Sequence, residues 1–491
     1  MIKYIKNIVI VGGGTSGWIA AKSISQGVPF AKVTLIDKEI SKPIGVGEAT
    51  LLNFKLFLKN YCNYSVDEID QCLSYCESVQ KKGILYPDWG CDGNQIWHPF
   101  HFAGMIPNGV DVPLLIDAWS LQDKIGITEI MPNLSTDVYA EHINALKLVE
   151  YLKNDLITDD SQYRINFIQS EVKDIERDDN GISSLILENG NIITADLFID
   201  CTGFKGILKD KKDRIDLTDR LYVDTAVVCP VNYIDIEKEL HTYTVAQAVD
   251  CGWIWKTPLQ SRIGTGLVFN KSITNITDAK DYFCQHWNNR IQPEDTRVID
   301  WSPYYDINQW DKNVVSIGLS AGFIEPLEST SIELILRGLM GLIDIINSRW
   351  YNDKCINSFN NYMISLYESS IDFVNMHYSL STKDTPFWNY VRDNYKSSDI
   401  LEMYKSNLDS SEPSIQKAPT EHFIGGGNWT HWMVQLGYPL AKKTYLTGDK
   451  NIRDRIYEVD TDIMDILIHE SNWIQRKDTC NCKVCEGKIN G

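Results

Sequence analysis

A short apolar run near the N-terminus predicts a buried strand. Positions 8–11 read Ile-Val-Ile-Val, and β-branched residues in an unbroken run are typical of a strand covered on both faces. The segment from Trp18 to Gln26 then carries the spacing of a helix. The first 26 residues therefore predict a strand, a turn and a helix in succession.

The turn between this strand and helix is rich in glycine. Positions 12–17 read Gly-Gly-Gly-Thr-Ser-Gly and fit the pattern G-x-G-x-x-G. In this context Gly12 permits a tight turn, Gly14 lets backbone N–H groups approach a pyrophosphate, and Gly17 lets the helix pack closely on the strand. The predicted dinucleotide-binding residues of the turn are Gly12, Gly14, Thr15, Ser16 and Gly17.

A second strand supports this interpretation. The apolar segment 32–36 ends in Asp37, 20 residues after Gly17, where a carboxylate can accept hydrogen bonds from a ribose hydroxyl. A glycine-rich turn without a nucleotide is then the minority interpretation. The turn itself does not decide between FAD and NAD.

Two later strand-to-glycine junctions favour FAD. The predicted strands 191–200 and 313–317 lead into glycine-containing turns at 201–206 and 318–322. Three such junctions far apart in sequence indicate one composite nucleotide domain with long insertions, as in large FAD folds. No second complete fingerprint follows a strand, so we expect one dinucleotide. If it is FAD, electrons have to arrive from another protein.

Composition and charge narrow the function further. The chain has 491 residues, of which 43% are hydrophobic and 23% charged, and its formal net charge is −19. Such a surface repels phosphate backbones and anionic lipid, so we expect neither nucleic-acid nor membrane binding. No secretory signal or membrane-spanning run is evident, which predicts a cytoplasmic protein. The sequence favours neither a monomer nor a homo-oligomer.

The cysteines do not predict a metal site. Twelve cysteines spread over this length are expected to be reduced thiols. Cys480, Cys482 and Cys485 form a C-x-C-x-x-C cluster, but structural zinc requires four ligands and no partner pair lies nearby. We interpret this segment as a polar tail and expect no bound metal.

A late segment combines a carboxylate with a helix start. Thr330 and Glu333 have the spacing of a capping box, which predicts that an apolar helix through residue 346 begins near Thr330. The first N–H groups of such a helix can bind an anion. Glu328 lies just before it and either supports the helix dipole or acts catalytically beside a cation.

Two further residue pairs leave alternatives open. Trp253 and Trp255 are two apart, so a strand would place both indoles on one face, as core filling or as a wall between compartments. Lys81 and Lys82 lie in another predicted strand, where alternation sends one lysine inward and one outward. Spacing alone favours core filling for the tryptophans and does not select between the lysines.

Together these segments resemble the flavin-dependent tryptophan halogenase family over about four-fifths of the chain. The resemblance implies an α/β, FAD-binding Rossmann-type (GR2-like) fold with long insertions and a mainly helical second lobe. It rests on positions 12–17, 45–50, 80–89, 253–258 (Trp-Ile-Trp-Lys-Thr-Pro) and 325–330 (Glu-Pro-Leu-Glu-Ser-Thr). We expect a discontinuous FAD-binding lobe of residues 1–55, 145–210 and 295–350, and a substrate-binding lobe of residues 56–144, 211–294 and 351–491.

The resemblance also implies a chemistry. Family members receive FADH2 from a separate NAD(P)H-dependent flavin reductase and form a C4a-hydroperoxide with O2. A halide ion attacks it to give hypohalous acid, which travels through an internal tunnel to a small aromatic substrate. Electrophilic substitution then needs a delivered halogen and a base for the ring proton, which a lysine and a glutamate in a dry pocket can supply.

Roles carry over onto matching positions. Lys81 matches the lysine that binds or is halogenated by the hypohalous acid, and Glu328 matches the glutamate opposite it. Lys82 falls where the family usually has a small residue. The remaining implied roles are cofactor binding by Gly47, Glu48, Ala49, Gly318 and Gly322, halide binding by Thr330 and Ser331, and substrate contact by His98, Phe100, Trp253 and Trp255.

Two departures from the family affect specificity. Ser331 replaces the usual glycine at the halide site, so bromide or iodide is expected to serve as readily as chloride. The region 414–438 lacks a recognisable clamp for the amino-acid backbone, which predicts indoles, phenols or related electron-rich aromatics rather than free tryptophan. A flavin-dependent aromatic monooxygenase and a non-catalytic flavin-binding protein remain the alternatives.

Overall fold

The structure is a computed structural model that describes residues 5–38, 47–90, 93, 95–100, 139–157, 165–348, 352–379, 381–399 and 401–402. Three predictions concern residues outside these ranges. They are the altered substrate clamp at 414–438, the cysteine cluster at 480–485 and the first two residues of the motif at 45–50.

The strands of the described residues are, in chain order, β1 (Asn7–Val11), β2 (Lys32–Asp37), β3 (Glu48–Ala49), β4 (Val79–Lys81), β5 (Gly83–Pro87), β6 (Gln95–Pro99), β7 (Ala140–Ile143), β8 (Asn166–Gln169), β9 (Val172–Asp178), β10 (Gly181–Leu187), β11 (Ile192–Ile193), β12 (Leu197–Asp200), β13 (Arg214–Asp216), β14 (Thr225–Val231), β15 (Thr244–Val249), β16 (Gly252–Pro258), β17 (Ile263–Phe269), β18 (Arg297–Asp300), β19 (Tyr304–Asp306), β20 (Trp310–Asp311), β21 (Val314–Ser316) and β22 (Gly322–Phe323). The α-helices are α1 (Thr15–Gly27), α2 (Asn53–Asn60), α3 (Val66–Tyr75), α4 (Ala145–Ile157), α5 (Ile236–Glu239), α6 (Ile276–His286), α7 (Thr330–Asn347), α8 (Asp353–Tyr378) and α9 (Pro386–Asn394).

A largely parallel sheet forms the base of the fold. Its order is β20-β21-β12-β1-β2-β8, with β1 parallel to both β2 and β12. The distant strands β12 and β21 thus rejoin the first sheet, as the strand-to-glycine junctions predicted. Helices α1, α4 and α7 pack together beside the sheet, and the β9–β11 hairpin sheet contributes to a second apolar cluster with β1 and β12. Both faces are covered, which explains the unbroken apolar run of β1.

A seven-stranded mixed sheet carries the later motifs. Its order is β18-β14-β17-β16-β15-β5-β6. A separate three-stranded sheet has the order β3-β7-β4. The strand predicted around Trp253 is β16 of the larger sheet. The single strand predicted for residues 80–89 is wrong, because the chain forms β4 in the small sheet and β5 in the larger one. The C-terminal described region is helical, since α7, α8 and α9 follow one another there. The α/β class with long insertions is confirmed, whereas the lobe boundaries stay a prediction.

The glycine turn has the geometry that its sequence predicts. Gly12 has φ +105°, and a Cβ atom there would lie 2.3 Å from the carbonyl oxygen of Cys201. A Cβ atom on Gly17 would lie 1.8 Å from the carbonyl oxygen of Gly12. Both positions therefore require glycine, the first for its dihedral angle and the second for close packing.

The start of α7 differs in part from the prediction. The helix begins at Thr330, as predicted, but Ser329 precedes it in the left-handed region with φ 58° and no side-chain cap. The predicted capping box of Thr330 and Glu333 is wrong. Thr330 already has helical backbone angles, φ −72° and ψ −23°, so it does not occupy the N-cap position that a capping box requires. The carboxylate of Glu333 instead accepts hydrogen bonds from Asn53 at 2.6 Å and from Arg337 at 2.7 Å.

No helix of the residues described above combines the length and apolar character needed to span a membrane.

Two glycine-to-alanine substitutions test the close packing of α1 on the glycine turn that follows β1. Gly17→Ala should lower the free energy of unfolding of the flavin-free protein by about 1–3 kcal/mol or more, because its methyl group meets a backbone carbonyl that cannot move aside. Gly14→Ala is the matched control, since no atom lies within 4 Å of the added methyl and φ is −78°. Urea unfolding measures both. Equal stability of the two variants would contradict this packing.

Candidate functional site

A cavity of about 650 Å³ connects the glycine turn with the start of α7. This volume lies within the range of about 300–1,000 Å³ that is usual for small-molecule sites. Many of the predicted site residues line it: Gly12, Gly14, Thr15, Ser16, Asp37, Gly47, Glu48, Ala49, Trp253, Trp255, Gly318, Gly322, Glu328, Thr330 and Ser331. Segments far apart in sequence therefore meet around one space.

One end of the cavity suits a dinucleotide. Gly14 precedes α1 without a side-chain cap, and a Cβ atom there would meet open space. The first N–H groups of α1 are thus available to a pyrophosphate. Asp37 ends the neighbouring strand and also lines the cavity. The glycine turn, the helix start and the acidic strand end together fit the phosphates and ribose of FAD.

The later glycines shape the same end of the cavity. Gly318 has φ +75°, and a Cβ atom there would lie 2.9 Å from Ser16 Cβ. A Cβ atom on Gly322 would lie 2.8 Å from the ring of Tyr367. Gly47 also has a positive φ, +84°, directly before Glu48.

Burial raises the pKa of Glu48 to about 7. This carboxyl group can therefore change charge near neutral pH beside the cavity.

The two tryptophans lie on one face of β16, as their spacing predicts. Their ring centroids are 6.2 Å apart and both rings line the cavity. Trp255 covers Gly266 of the paired strand, where a Cβ atom would lie 2.2 Å from the indole. Trp253 donates from Nε1 to Tyr378 Oη at 3.0 Å. The contacts with Gly266 and Tyr378 therefore hold the two indoles in place, and both residues line the cavity.

A tight turn precedes α7 and lines the cavity. Glu328 has φ 64° and Ser329 has φ 58°, two successive non-glycine residues in the left-handed region. This conformation costs about 1–3 kcal/mol per residue, so neighbouring contacts must hold it. The turn places the carboxylate and the hydroxyl side by side. Strain of this kind clusters at functional sites.

Lys81 binds this turn through Ser329. Its ammonium nitrogen is fully buried and donates to Ser329 Oγ at 3.0 Å and to the Thr50 carbonyl at 3.3 Å. Burial lowers the pKa of Lys81 to about 7, and the charge of Glu328 partly opposes that shift. Lys81, the last residue of β4, is buried, whereas Lys82 lies between β4 and β5 and is half-buried. Burial therefore distinguishes the two lysines, although they do not alternate within one strand as predicted.

Glu328 is surrounded by donors. Tyr86 donates from its hydroxyl group to Oε1, His98 Nδ1 lies 3.1 Å from both carboxylate oxygens, and His377 Nε2 lies 2.8 Å from Oε1. Burial alone raises the pKa of Glu328, but the two histidines hold it well below its usual range. Among the described residues, its ion-pair partners are these histidines rather than Lys81.

His98 and Phe100 do not line the described cavity. His98 is buried against Glu328, and the Phe100 ring centroid lies 5.0 Å from Lys81 Nζ. Gly17 and Lys81 also lie behind the lining residues, Gly17 in the helix packing and Lys81 behind Ser329. The substrate role of His98 and Phe100 stays a prediction.

Several residues of the site were not predicted from the sequence. Tyr86 and His377 bind Glu328, and Ser329 joins Lys81 to the turn. Glu325 accepts from Tyr378 at 2.8 Å, and burial raises its pKa to about 8. Ser329 follows directly on Glu328, so the motif contained it. Tyr86 and His377 lie 242 and 49 positions from Glu328, and no local pattern indicates them.

Comparison with known proteins gives a consistent result. The family model described as tryptophan halogenase matches residues 7–448. The tryptophan 6-halogenase ThaL of Streptomyces albogriseolus is 26% identical over 457 residues, which cover 83% of each chain. The tryptophan 7-halogenase RebH of Lentzea aerocolonigenes is 27% identical over 454 residues, which cover 84% of each chain.

Solved structures confirm the fold. The tryptophan 6-halogenase SttH of Streptomyces toxytricini matches with a TM-score of 0.79 at 23% identity, over 95% of this chain and 98% of that chain. BrvH, a flavin-dependent halogenase of Brevundimonas sp. BAL3, matches with a TM-score of 0.78 at 24% identity, over 96% and 98%. The predicted flavin-type α/β fold is therefore confirmed.

The depressed pKa of Lys81 predicts a pH-dependent stability. Between pH 7 and its ordinary value of 10.5, the unfolded chain binds more protons at this residue, so native stability rises with pH there. Lys81→Met should therefore raise the free energy of unfolding most below pH 7, by up to about 4 kcal/mol, and progressively less toward pH 10. Urea unfolding at each pH measures this gain.

The neighbouring lysine provides the control for this measurement. Lys82→Met removes the same charge from the neighbouring, half-buried position and so controls for the change in net charge. A Lys81→Met effect that is equally large at pH 6 and pH 10 would show that the ammonium is not destabilised by burial.

Proposed function

The chain belongs to the tryptophan halogenase family, and we propose that it uses FADH2 and O2 to add bromide, chloride or iodide to an electron-rich aromatic compound such as an indole or a phenol. Its family membership makes it a flavin-dependent halogenase, an oxidoreductase. The observation that carries the proposal is the meeting of Lys81 and Glu328 at Ser329, on a cavity that begins at the glycine turn.

FAD fits the cavity through residues of this chain. The pyrophosphate would bind Gly12, Gly14, Thr15 and Ser16, and Asp37 would bind the ribose. The rest of the cofactor would lie along Gly47, Glu48, Ala49, Gly318 and Gly322, which line the same space. When bound, reduced flavin supplies with O2 the oxidising equivalents that convert a halide ion to hypohalous acid.

The start of α7 would hold the halide. Thr330 and Ser331 line the cavity at the N-terminus of an 18-residue helix, where unpaired N–H groups and the helix dipole favour an anion. Ser331 adds a hydroxyl group where relatives usually have glycine. Because this change alters the anion site, we propose that bromide or iodide serves as readily as chloride.

Lys81 would hold the halogenating agent. Its nitrogen already donates to Ser329, and with a pKa of about 7 it is near the balance between ammonium and amine at neutral pH. The ammonium can donate a hydrogen bond to hypohalous acid, and the amine can be halogenated by it. Either form delivers a halogen electrophile at a fixed point.

Glu328 would remove the ring proton. A carboxylate with several donors and a depressed pKa stays ionised and can accept a proton from the arenium ion formed when halogen adds to the ring. The same negative charge stabilises that cation in a dry environment. Trp253 and Trp255 would keep the aromatic substrate apart from the flavin and so suppress direct hydroxylation.

The substrate and partners follow the same interpretation. His98 and Phe100 remain candidate substrate contacts because both lie beside Glu328 or Lys81. A separate NAD(P)H-dependent flavin reductase would supply FADH2. The acidic chain suits a small neutral aromatic compound better than a nucleic acid, and a cytoplasmic location is consistent with this use of reduced flavin.

A product assay separates this function from its rivals. The protein receives reductase-generated FADH2, O2, a panel of indoles and phenols, and each halide in turn, and product masses are measured. Halogen addition is the expected result. Oxygen addition without a halide requirement would identify an aromatic monooxygenase. Binding of flavin without any product would identify a non-catalytic flavin-binding protein.

Two lysine variants complete this assay. Lys81→Ala should abolish halogenation, by about 10²-fold or more, while flavin reoxidation continues and releases peroxide. Lys82→Ala is the matched control and should retain halogenation, because the lysine that donates to Ser329 is Lys81. The reverse result, loss of halogenation in Lys82→Ala and retention in Lys81→Ala, would show that the catalytic lysine is Lys82 and not Lys81.

A further inference from the structure

His377 is a fully buried histidine whose two ring nitrogens both meet oxygen atoms. It lies in α8, near the end of the helix. Its Nδ1 is 2.7 Å from the carbonyl oxygen of Phe373, and its Nε2 is 2.8 Å from Glu328 Oε1. The first oxygen belongs to the same helix and the second to the turn before α7.

These contacts determine where protons must lie. A carbonyl oxygen can only accept, so Nδ1 of His377 carries a hydrogen atom. In the neutral ring Nε2 would then be a lone pair, and a lone pair would face a carboxylate oxygen at 2.8 Å. That arrangement is repulsive unless a proton lies between the two atoms. The pair therefore holds one shared proton, as imidazolium with carboxylate or as imidazole with carboxylic acid.

Burial and the mutual attraction of the two groups act on this pair in opposite directions. Burial lowers the pKa of His377, while Glu328 raises it, and the histidines lower the pKa of Glu328 against the effect of burial. Burial thus favours the neutral form of the pair, and the attraction between imidazolium and carboxylate favours the charged form. The two groups therefore titrate as one coupled pair rather than as two separate residues.

Other polar groups face the pair from each neighbouring element. Tyr86 of β5 donates to Oε1, and His98 of β6 contacts both carboxylate oxygens. Lys81 acts on Glu328 through its charge. The next residue along α8 from His377, Tyr378, binds Glu325. On the other side of α8, Asp372 lies 3.5 Å from Arg220, so its charge is balanced separately.

We infer that His377 is a positioning residue that acts through Glu328. The two residues form one acid–base unit with a single shared proton, which the unit donates once and regains once in each halogenation. This use rests on the proposed function, whereas the shared proton itself does not. Oε1 of Glu328 receives Tyr86 and His377, so we assign the substrate side to Oε2, which lies 3.1 Å from His98 Nδ1.

The proton balance closes over one cycle. The π electrons of the ring form the carbon–halogen bond while the oxygen–halogen bond of hypohalous acid breaks with its electron pair on oxygen. The unit protonates that oxygen, which leaves as water. The ring carbon then gives up its proton to Glu328, and the electrons of that C–H bond restore aromaticity. Aromatic compound and hypohalous acid become aryl halide and water, and the unit regains its proton.

The shared proton can be observed directly. The FAD-bound protein is labelled with ¹⁵N-histidine, and proton and nitrogen spectra are recorded over a pH series; the chain has nine histidines, so variants assign the signal. We expect one strongly downfield proton coupled to Nε2 of a histidine whose Nδ1 is also protonated. It should vanish in both His377→Gln and Glu328→Gln, and either variant suffices if the other fails to fold.

A second experiment measures the amount of halogenated product formed per FADH2 consumed, as a function of pH. In His377→Gln this yield should fall about 10²-fold, because the amide cannot take up a proton, and the pH dependence of the remaining activity should change. Flavin affinity and reoxidation should stay within twofold of wild type. His286→Gln, a half-buried histidine in α6, should keep the wild-type pH profile.

Contrary outcomes identify which statement fails. Spectra without a proton shared between His377 Nε2 and Glu328, or a His377→Gln variant with the yield and pH profile of wild type, would overturn the inference. A wild-type protein that shows the downfield proton but forms no halogenated product would overturn the proposed function and the catalytic use of the proton, while the proton-sharing pair would stand.

Discussion

The burial of the Glu328 carboxylate is the interaction on which the site depends. An ionised carboxyl group removed from water is strongly destabilising unless donors replace its hydration. Tyr86, His98 and His377 supply those donors from β5, β6 and α8. Because each comes from a different element, satisfying one charge fixes the larger mixed sheet and the long helix relative to the turn before α7. Loss of any donor would leave the others around an incompletely satisfied charge.

The left-handed turn at Glu328 and Ser329 links that buried charge to the cofactor cavity. Its backbone cost is supported by the contacts of both side chains, the first with the histidines and the second with Lys81. As a result, an acid–base group and an amine of lowered pKa occupy adjacent positions beside the cavity. The same turn starts α7, so the positive end of that helix is aligned with them.

The sequence predicts the parts of this structure that are local or periodic. The glycine turn, the rejoining strands and the paired indoles follow from spacing and strand alternation, and Lys81 and Glu328 follow from motifs shared with a family. Tyr86 and His377 do not, because their role arises from packing between distant segments. The capping box was mispredicted because Ser329 rather than Thr330 occupies the N-cap position. The Glu333 carboxylate binds Asn53, 280 positions away, and Arg337.

A crystal structure of the protein with FAD and bromide tests the central claim most directly. The anomalous signal of bromide locates the ion independently of the protein density. The site predicts FAD along the glycine turn and bromide at the N-terminus of α7, within hydrogen-bonding distance of the Thr330 or Ser331 amide. FAD bound elsewhere, or a bromide separated from the Glu328 turn by closed protein, would contradict the link between cofactor, halide and carboxylate.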